Sequence, residues 1–237
     1  MIYLGCAGWS LSREYAGDFP AVGTHLQRYA SVLNAVEINS TFYRPHRPAT
    51  YVRWGEAVPE AFRFSIKVPK AITHERRLVD CGPALDEFLG QCAGLGERLG
   101  CLLVQLPPSL AFELEVAERF FGELRARFDG PVAIEPRHSS WVAAQSLLVE
   151  MRVAQVAADP ARFGVDSEPG GWPGLVYWRL HGAPRMYFSE YPPEYLEGLV
   201  LRLKECARTG VPVWCIFDNT AAGAALGNAL VLKGLSG

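Results

Sequence analysis

Short apolar runs recur along the whole chain, and most of them are followed by a segment with helical spacing of apolar residues. Short apolar strands that alternate with helices predict an α/β fold with parallel strands. The runs that we interpret as strands are 2–7, 35–38, 62–68, 101–106, 132–135, 153–157, 175–180 and 213–217.

The segments between these runs carry apolar residues at i, i+3, i+4 and i+7, the spacing of a helix that buries one face. Clear cases span 85–92, 117–124 and 196–203, and a last helix is predicted to begin near Thr220. Eight strands alternating with helices within 237 residues predict a single domain, a TIM-type (β/α)8 barrel.

The segment 159–174 breaks this alternation. It holds three prolines and four glycines and has no helical spacing of apolar residues. We interpret it as an irregular loop that largely replaces the sixth helix. A long loop at the mouth of a barrel is either a lid or binding wall, or simply mobile.

The composition is that of an ordinary globular protein, with 49% hydrophobic and 20% charged residues and a formal net charge of −2. Such a charge argues against broad attraction to a phosphate backbone but leaves room for a local basic pocket. The six cysteines form no CxxC pair, and Cys6, Cys101 and Cys215 lie in predicted strands, where they are expected to be buried. The chain shows neither a signal-peptide pattern nor an apolar run of roughly 20 residues, so we expect a cytoplasmic protein without a membrane partner.

Polar residues follow the apolar runs at almost every strand end, and a parallel barrel gathers these ends around one mouth. Residues two apart on a strand share a face. The pairs that this rule brings together are Glu37 with Asn39, Glu135 with Arg137, and Arg179 with His181. Burial of such groups without partners is costly, so they form an ion-pair network, bind a ligand or reach water. Three pairs on the face where barrel enzymes act favour a functional site.

Further polar and aromatic residues lie at or after strand ends. Lys67 ends the third strand, and it either extends to solvent or anchors an anion, with a lowered pKa if its amine is desolvated. His74 lies in a charged loop and is either solvated or functional. Gln105 could orient a substrate hydroxyl or carbonyl. The aromatic residues that follow strand ends either pack or wall a pocket, and they are Trp9, Phe42, Tyr43 and Trp141.

Several longer motifs lie between Gly5 and Ala229. They read GCAGWS, AVEINSTFY, FRFSIKVPKAITH, VQLPPS, AIEPRHSSW, YWRLHG and IFDNTAAGAALGNA. In combination they make the chain similar to the YecE-like family, a family named as a domain of unknown function. The resemblance implies a TIM-type barrel and no settled reaction. The polar and small positions that recur in that family fall here on Glu37, Asn39, Thr41, Tyr43, Lys67, Pro69, His74, Gln105, Pro107, Glu135, Arg137, Arg179, His181, Gly182 and Asn219.

Our first functional hypothesis is an enzyme without metal or cofactor, which acts by hydrolase- or lyase-type acid–base chemistry on a small polar, anionic substrate. Lysine and arginine at the mouth would hold its phosphate or carboxylate. The candidate catalytic residues are Glu37, Glu135 and His181. The candidate substrate-binding residues are Asn39, Tyr43, Lys67, His74, Gln105, Arg137, Arg179 and Asn219.

The second hypothesis is a divalent-metal enzyme, because mixed carboxylate and imidazole ligands suit Mn²⁺, Mg²⁺ or Zn²⁺. Its ligands would be Glu37, Glu135, Asp159, His181 and Asp218. Fold analogy alone extends this hypothesis to nucleic-acid processing or sugar isomerisation. The arginines near Glu135 and His181 argue against it, since they would compete with a metal for the same charge. The third hypothesis is a protein that binds a small anion or a nucleotide without chemistry.

Overall fold

The computed structural model describes residues 1–163 and 167–236, and these residues form an α/β fold with two mainly parallel sheets. Every predicted strand is present, and its bounds differ by at most two residues except in the sixth. The strands are β1 (Ile2–Cys6), β2 (Ala35–Ile38), β3 (Arg63–Lys67), β4 (Leu99–Gln105), β5 (Val132–Glu135), β6 (Val153–Gln155), β7 (Ala157–Asp159), β8 (Gly170–Gly171), β9 (Val176–Leu180) and β10 (Val213–Phe217).

The helices follow most strands, as the spacing of apolar residues predicts. They are α1 (His25–Ala30), α2 (Pro48–Glu56), α3 (Gly82–Cys92), α4 (Leu114–Arg125), α5 (Gln145–Glu150), α6 (Pro193–Arg208) and α7 (Ala224–Ser236). The prediction that the last helix begins near Thr220 was wrong by four residues. Residues 220–223 form a turn closed by a hydrogen bond from Gly223 N to Thr220 O, and Gly223 has a φ of +86° that a helix cannot continue.

The strand order is β1-β10-β9-β7 in one sheet and β2-β3-β4-β5-β6-β8 in the other, and only the β6–β8 pair is antiparallel. The sixth predicted strand is divided at Val156. Its first part, β6, pairs with β5, whereas its second part, β7, pairs with β9. The segment 153–159 therefore contributes to both sheets.

The strands β1 and β2, which belong to different sheets, also lie side by side. A parallel bridge joins Ala7 to Glu37, and the Tyr29 hydroxyl accepts from Cys6 N and donates to Ala35 O at 2.8 and 3.0 Å. A side chain at Gly5 would place its Cβ 2.0 Å from the carbonyl oxygen of Ala35. Glycine at this position is thus required by the close approach of the two backbones.

The predicted irregular segment 159–174 holds no α-helix in its described part, but it contains the short strand β8, which the sequence did not predict. A Cβ at Gly171 would lie 2.6 Å from Val153 O, so two small residues allow this segment to pair with β6. Residues 164–166 of the predicted loop lie outside the described residues.

The buried apolar side chains form two clusters. The larger lies between the sheets and the helices. The smaller draws side chains from strands of both sheets and consists of Ala35, Cys101, Leu103, Ala133, Ala154, Val156, Leu175, Tyr177, Trp214 and Ile216. Several of these residues precede a buried polar residue by two positions, as Ala133 precedes Glu135, so the polar groups lie above the smaller cluster at the strand C-termini. Within the part of the chain that the structure describes, no helix has the length and apolar character needed to cross a membrane.

Candidate functional site

Arg179 lies at the centre of a buried ion-pair cluster at the strand C-termini. Its Nε and Nη2 donate to the two carboxylate oxygens of Glu37 at 3.0 and 2.8 Å, and its Nη1 donates to Glu135 Oε2 at 3.0 Å. Nη2 also lies 3.0 Å from Asp218 Oδ2. These four side chains are buried, and they come from the ends of β2, β5, β9 and β10. One guanidinium therefore organises carboxylates from distant parts of the chain.

His181 joins two of the same carboxylates. Its Nδ1 lies 2.9 Å from Asp218 Oδ2, and its Nε2 lies 2.9 Å from Glu135 Oε1. Arg137 Nη2 approaches Glu135 Oε1 at 2.5 Å and His181 Nε2 at 3.3 Å. Because each ring nitrogen faces a carboxylate oxygen, the imidazole is placed to pass a proton between the two sides of the cluster.

Two residues that the sequence analysis did not identify, Tyr177 and Ser65, support the cluster on the side that faces the smaller apolar cluster. The Tyr177 hydroxyl donates to Glu37 Oε2 at 2.9 Å and lies 2.9 Å from the Ser65 hydroxyl. Tyr177 precedes Arg179 by two residues on β9, so both side chains leave the strand on the same face. Strand alternation could therefore have identified Tyr177, although an aromatic residue inside an apolar run gives no other signal.

The cluster sets the charges of its members. Burial acts to raise the pKa of Glu135, but His181, Arg179 and Arg137 together hold that pKa well below its ordinary value. Burial also opposes ionisation of Asp218, whose pKa is nevertheless lowered by Arg179 and His181. For Arg179, burial acts to lower the pKa, and the surrounding carboxylates raise it well above the ordinary value. Glu135 and Asp218 are thus carboxylates, and Arg179 a guanidinium, throughout the neutral pH range.

Lys67 occupies a different part of the site. It is only 8% exposed, and its Nζ lies 4.1 Å from the centroid of the Phe42 ring. Among the residues that the structure describes, none forms a hydrogen bond or an ion pair with this amine. Burial and the charge of Arg179 lower the pKa of Lys67 to about 8, although the three carboxylates of the cluster partly oppose this. The Lys67 amine is therefore mostly charged at pH 7, with roughly a tenth neutral.

Local structure fixes Phe42 against Lys67. Residues Ser40–Phe42 form a 3-10 turn after β2, and Thr41 Oγ1 lies 2.9 Å from Ile38 O and 2.6 Å from Lys67 O. The threonine hydroxyl thereby ties this turn to the end of β3. Phe42 is thus held beneath the amine by contacts of the neighbouring Thr41 that do not depend on a ligand.

His74 contacts the same aromatic ring. It lies in a π-helical turn, Ala71–Glu75, a rare conformation that is frequent at functional sites. The His74 and Phe42 rings meet edge to face with centroids 4.8 Å apart, and His74 Nδ1 lies 2.8 Å from Thr73 Oγ1. Burial and the nearby charges of Lys67 and Arg137 lower the pKa of His74. Lys67, His74 and Arg137 are therefore electrostatic neighbours at one side of the cluster.

Two buried polar atoms at the cluster have no hydrogen-bond partner within the described chain. They are the donor Arg137 Nε and the acceptor Asn39 Oδ1. The amide nitrogen of Asn39 donates to Asp218 Oδ1 at 3.2 Å, which orients the unpaired oxygen. Unpaired buried polar atoms are uncommon, and a ligand that donates and accepts hydrogen bonds would satisfy both of them.

Gln105 and Tyr43, two further predicted binding residues, lie beside the cluster rather than in it. Gln105 pairs in register with Glu135 across β4 and β5, but its side-chain amide donates to Leu106 O at 2.6 Å. Tyr43 is 73% exposed and touches Phe42 edge to face. Among the described residues neither side chain is hydrogen-bonded to the cluster, and a binding role for them stays a prediction.

Asn219 forms hydrogen bonds that connect neighbouring segments of the chain. Its amide nitrogen donates to Ser189 O and to Asn228 Oδ1, each at 2.9 Å, and thereby ties the segment before α6 to α7. Its Oδ1 is buried without a hydrogen-bond partner among residues 1–163 and 167–236. The contacts of Asn219 are thus those of a residue that holds the end of β10 in place.

The donor set of the metal hypothesis does not fit a metal ion. Arg179 is bonded to the oxygens of Glu37, Glu135 and Asp218 that would have to coordinate the ion. The Asp159 carboxylate accepts from the Tyr191 hydroxyl at 2.8 Å, and within the described ranges it forms no hydrogen bond with a side chain of the cluster. In the described ranges, no group of three or more His, Cys, Asp or Glu side chains is arranged to hold a metal.

Tyr187 borders the site and has a strained backbone conformation. Its φ is +69°, a left-handed value that is unfavourable for an aromatic residue. Tyr187 N donates to His181 O at 2.5 Å, and the two rings meet edge to face with centroids 5.6 Å apart. Strain of this kind concentrates at functional sites, and here it holds an aromatic ring against the imidazole.

Comparisons with known proteins cover nearly the whole chain. A family model described as "Protein of unknown function DUF72" matches residues 3–237. The UPF0759 protein YecE of Escherichia coli K12 is 33% identical over 60% of this chain and 51% of its own length. The UPF0759 protein YunF of Bacillus subtilis is 23% identical over 96% of this chain and 92% of its own length. The chain thus matches about half the length of YecE.

Solved structures of similar proteins share the fold. A DUF72 family protein from Enterococcus faecalis has a TM-score of 0.81 and 25% identity, and the match covers 100% of this chain and 95% of that protein. A DUF72 family protein from Thermotoga maritima has a TM-score of 0.80 and 26% identity, with coverage of 99% and 98%.

Proposed function

Because the chain belongs to the DUF72 family, whose function is unknown, we propose its activity from the geometry of the strand ends. The protein is an enzyme that performs acid–base chemistry, without a metal or cofactor, on a small substrate bearing a phosphate or carboxylate. The observation that carries this proposal is a pair of buried cationic side chains with uncommitted donors, Lys67 Nζ and Arg137 Nε, beside a saturated ion-pair cluster.

Among the described residues Lys67 has no ion-pair partner, whereas Arg137 is paired with Glu135 and leaves only its Nε without a hydrogen bond. A buried cation without a counter-ion is costly, and an anion bound at Lys67 would remove that cost. The carboxylates of Glu37, Glu135 and Asp218 are already engaged by Arg179. The lysine amine and Arg137 Nε are therefore the donors that a substrate anion would contact. Hydrogen bonds from a charged donor to phosphate or carboxylate oxygens are stronger than those between neutral groups.

The remaining residues have distinct roles in this proposal. His181 moves the proton, and Glu135 and Asp218, which are bonded to its two nitrogens, hold its orientation. Glu37 is bonded to Arg179 through both oxygens and to Tyr177, so we assign it to positioning rather than to acid–base catalysis. We assign Arg179, likewise, to organising the carboxylates.

We also propose that the two sheets close into one TIM-type (β/α)8 barrel in a single domain. Three observations support this closure: segment 153–159 pairs with strands of both sheets, a bridge joins Ala7 to Glu37, and the smaller apolar cluster contains side chains from both sheets. Closure would gather all strand C-termini at one mouth. A high-resolution experimental structure with an open, solvated edge between β1 and β2 would contradict it.

The binding part of the proposal is tested by NMR titration of the wild-type protein with inorganic phosphate, sulfate and small carboxylates. We expect Lys67→Gln and Arg137→Gln to weaken binding at least tenfold, because each removes an uncommitted donor. Lys233→Gln, on the exposed face of α7, is the matched control and should bind as the wild type does. Equal weakening in all three variants, or no binding of any anion, contradicts the proposal.

The catalytic part is tested by screening small phosphorylated and carboxylated compounds for turnover, followed by Glu135→Gln and His181→Asn. Both variants should lose most of kcat, because His181→Asn removes the proton carrier and Glu135→Gln removes the carboxylate that orients it. Wild-type turnover by Glu135→Gln contradicts the assignment, and a tightly bound ligand recovered unchanged would instead indicate a passive binding protein. One equivalent of tightly bound divalent metal, or displacement of phosphate by an oligonucleotide, would favour the metal-dependent or nucleic-acid alternative.

A further inference from the structure

Lys67 differs from the other lysines in its surroundings. Lys70 forms an exposed ion pair with Glu75, and Lys204 donates to Leu235 O near the surface, whereas Lys67 is buried without such a partner among the described residues. Its amine rests on the Phe42 ring at the end of β3. A buried lysine that serves only as a structural cation would be expected to bond to a carboxylate, and three carboxylates are available nearby but engaged with Arg179.

We propose that Lys67 is a nucleophile whose amine adds to the carbonyl carbon of a small anionic aldehyde or ketone and forms an imine. The inference rests on the proposed function, since it names the substrate class of the same site. Arg137 holds the phosphate or carboxylate of the substrate through its free Nε, and His74 moves protons beside the amine.

The chemistry balances without an oxidant or reductant. The nitrogen lone pair of the neutral amine forms a C–N bond as the carbonyl π bond breaks, and the carbonyl oxygen takes up a proton. The nitrogen then loses a proton to His74, the C–O bond breaks, and the oxygen leaves as water after a second protonation. The resulting protonated imine can accept electrons from a bond to the adjacent carbon, and hydrolysis later returns the free amine.

The electrostatic surroundings favour the neutral amine that this step needs. The charged groups that act on Lys67 are Arg179, Glu37, Asp218 and Glu135, and His74 lies across the Phe42 ring. Burial and Arg179 lower the pKa of Lys67 to about 8. At pH 7 roughly a tenth of this amine is neutral, against well under a thousandth for an ordinary lysine.

Position supports reactivity as well. Thr41 bonds to the backbone carbonyl of Lys67 and holds Phe42 beneath the amine, so the nucleophile is held in place before a substrate arrives. The His74 ring packs on the same phenyl ring, which keeps the proton carrier beside the nucleophile. Three side chains from two strand ends therefore form one preassembled unit.

The test is reductive trapping on the wild-type protein. The probes are glyoxylate and glycolaldehyde phosphate, each with sodium cyanoborohydride at a series of pH values on both sides of pH 8, and peptide mass spectrometry measures the rate of modification at every lysine. We expect Lys67 to be modified at least tenfold faster than Lys70, Lys204 and Lys233, with a rate that rises to half its maximum near pH 8. Modification of Lys67 no faster than of Lys70 overturns the inference.

Variants separate this inference from the proposed function. Lys67→Arg removes the nucleophilic amine, so it should lose the adduct, while Lys70→Arg should leave the adduct unchanged. Arg137→Gln should reduce the preference for glyoxylate over uncharged acetaldehyde. Phosphate binding without a Lys67 adduct refutes the nucleophile and leaves the anion site standing, whereas absence of both refutes both. The adduct in wild-type protein is measured whether or not a variant folds.

Discussion

The replacement Lys67→Met measures how much stability the site gives up to keep a buried amine. Methionine retains the unbranched chain and packs well on an aromatic ring, but it removes the charge. The pKa of Lys67 is about 8 in the folded protein, against an ordinary 10.5. At about 1.36 kcal/mol per pH unit, the buried charge costs the folded state about 3 kcal/mol.

The sign of this effect follows from proton binding. Below pH 8 the amine is charged in both folded and unfolded chains, so the wild type bears the full cost. Between pH 8 and 10.5 the folded protein releases this proton first, and its stability relative to the variant rises with pH. Lys67→Met should therefore be about 3 kcal/mol more stable than wild type at pH 7, and the difference should approach zero near pH 10.5.

The assay is urea unfolding under reducing conditions, followed by tryptophan fluorescence at several pH values between 7 and 10.5. Lys233→Met, at an exposed position on α7, is the control and should show no comparable pH-dependent difference from wild type. A Lys67→Met protein that is no more stable at pH 7, or whose advantage is constant with pH, would refute the reasoning that the amine is buried at a cost.

Other regions yield further predictions. Arg179→Leu should lower the free energy of unfolding by about 3–5 kcal/mol at pH 7 in urea titrations, because Glu135 and Asp218 lose the guanidinium that they share. The pKa values of Glu135 and Asp218 lie below their ordinary values of 4.5 and 3.8. The stability that these carboxylates contribute is therefore fully present above the ordinary values and is lost as the pH falls through the lowered pKa values, so the stability deficit of Arg179→Leu should narrow in acid. A stability deficit independent of pH would contradict this. Gly5→Ala should cost more than about 2 kcal/mol because its Cβ meets Ala35 O, whereas Gly90→Ala, which meets nothing within 4 Å, should be neutral or stabilising by the same assay. A thiol reagent should modify Cys206 first in the native protein and all six cysteines in urea, and rapid native modification of Cys6, Cys101 or Cys215 would contradict their burial.

The sequence by itself determined the strands and the places of the polar residues. The bounds of β2, β5 and β10 were predicted without error, because each is an apolar run whose pattern depends only on neighbouring residues. The same locality explains the errors. Residues 220–223 suit a helix by composition, but a turn ended by Gly223 delays α7, and the pairing of Gly170–Gly171 with β6 has no local pattern.

The tertiary structure alone decided which charges meet. Strand alternation placed Glu37, Glu135 and Arg179 at strand ends, but not in contact with one another. Arg179 lies 142 residues from Glu37 and 44 from Glu135 along the chain, so their contacts depend on strand order and register. The same long-range packing left Lys67 without a carboxylate partner among the described residues, because Arg179 had engaged the carboxylates nearby. Local sequence preferences specify the direction of a side chain, and only the packing of distant strands specifies its neighbours.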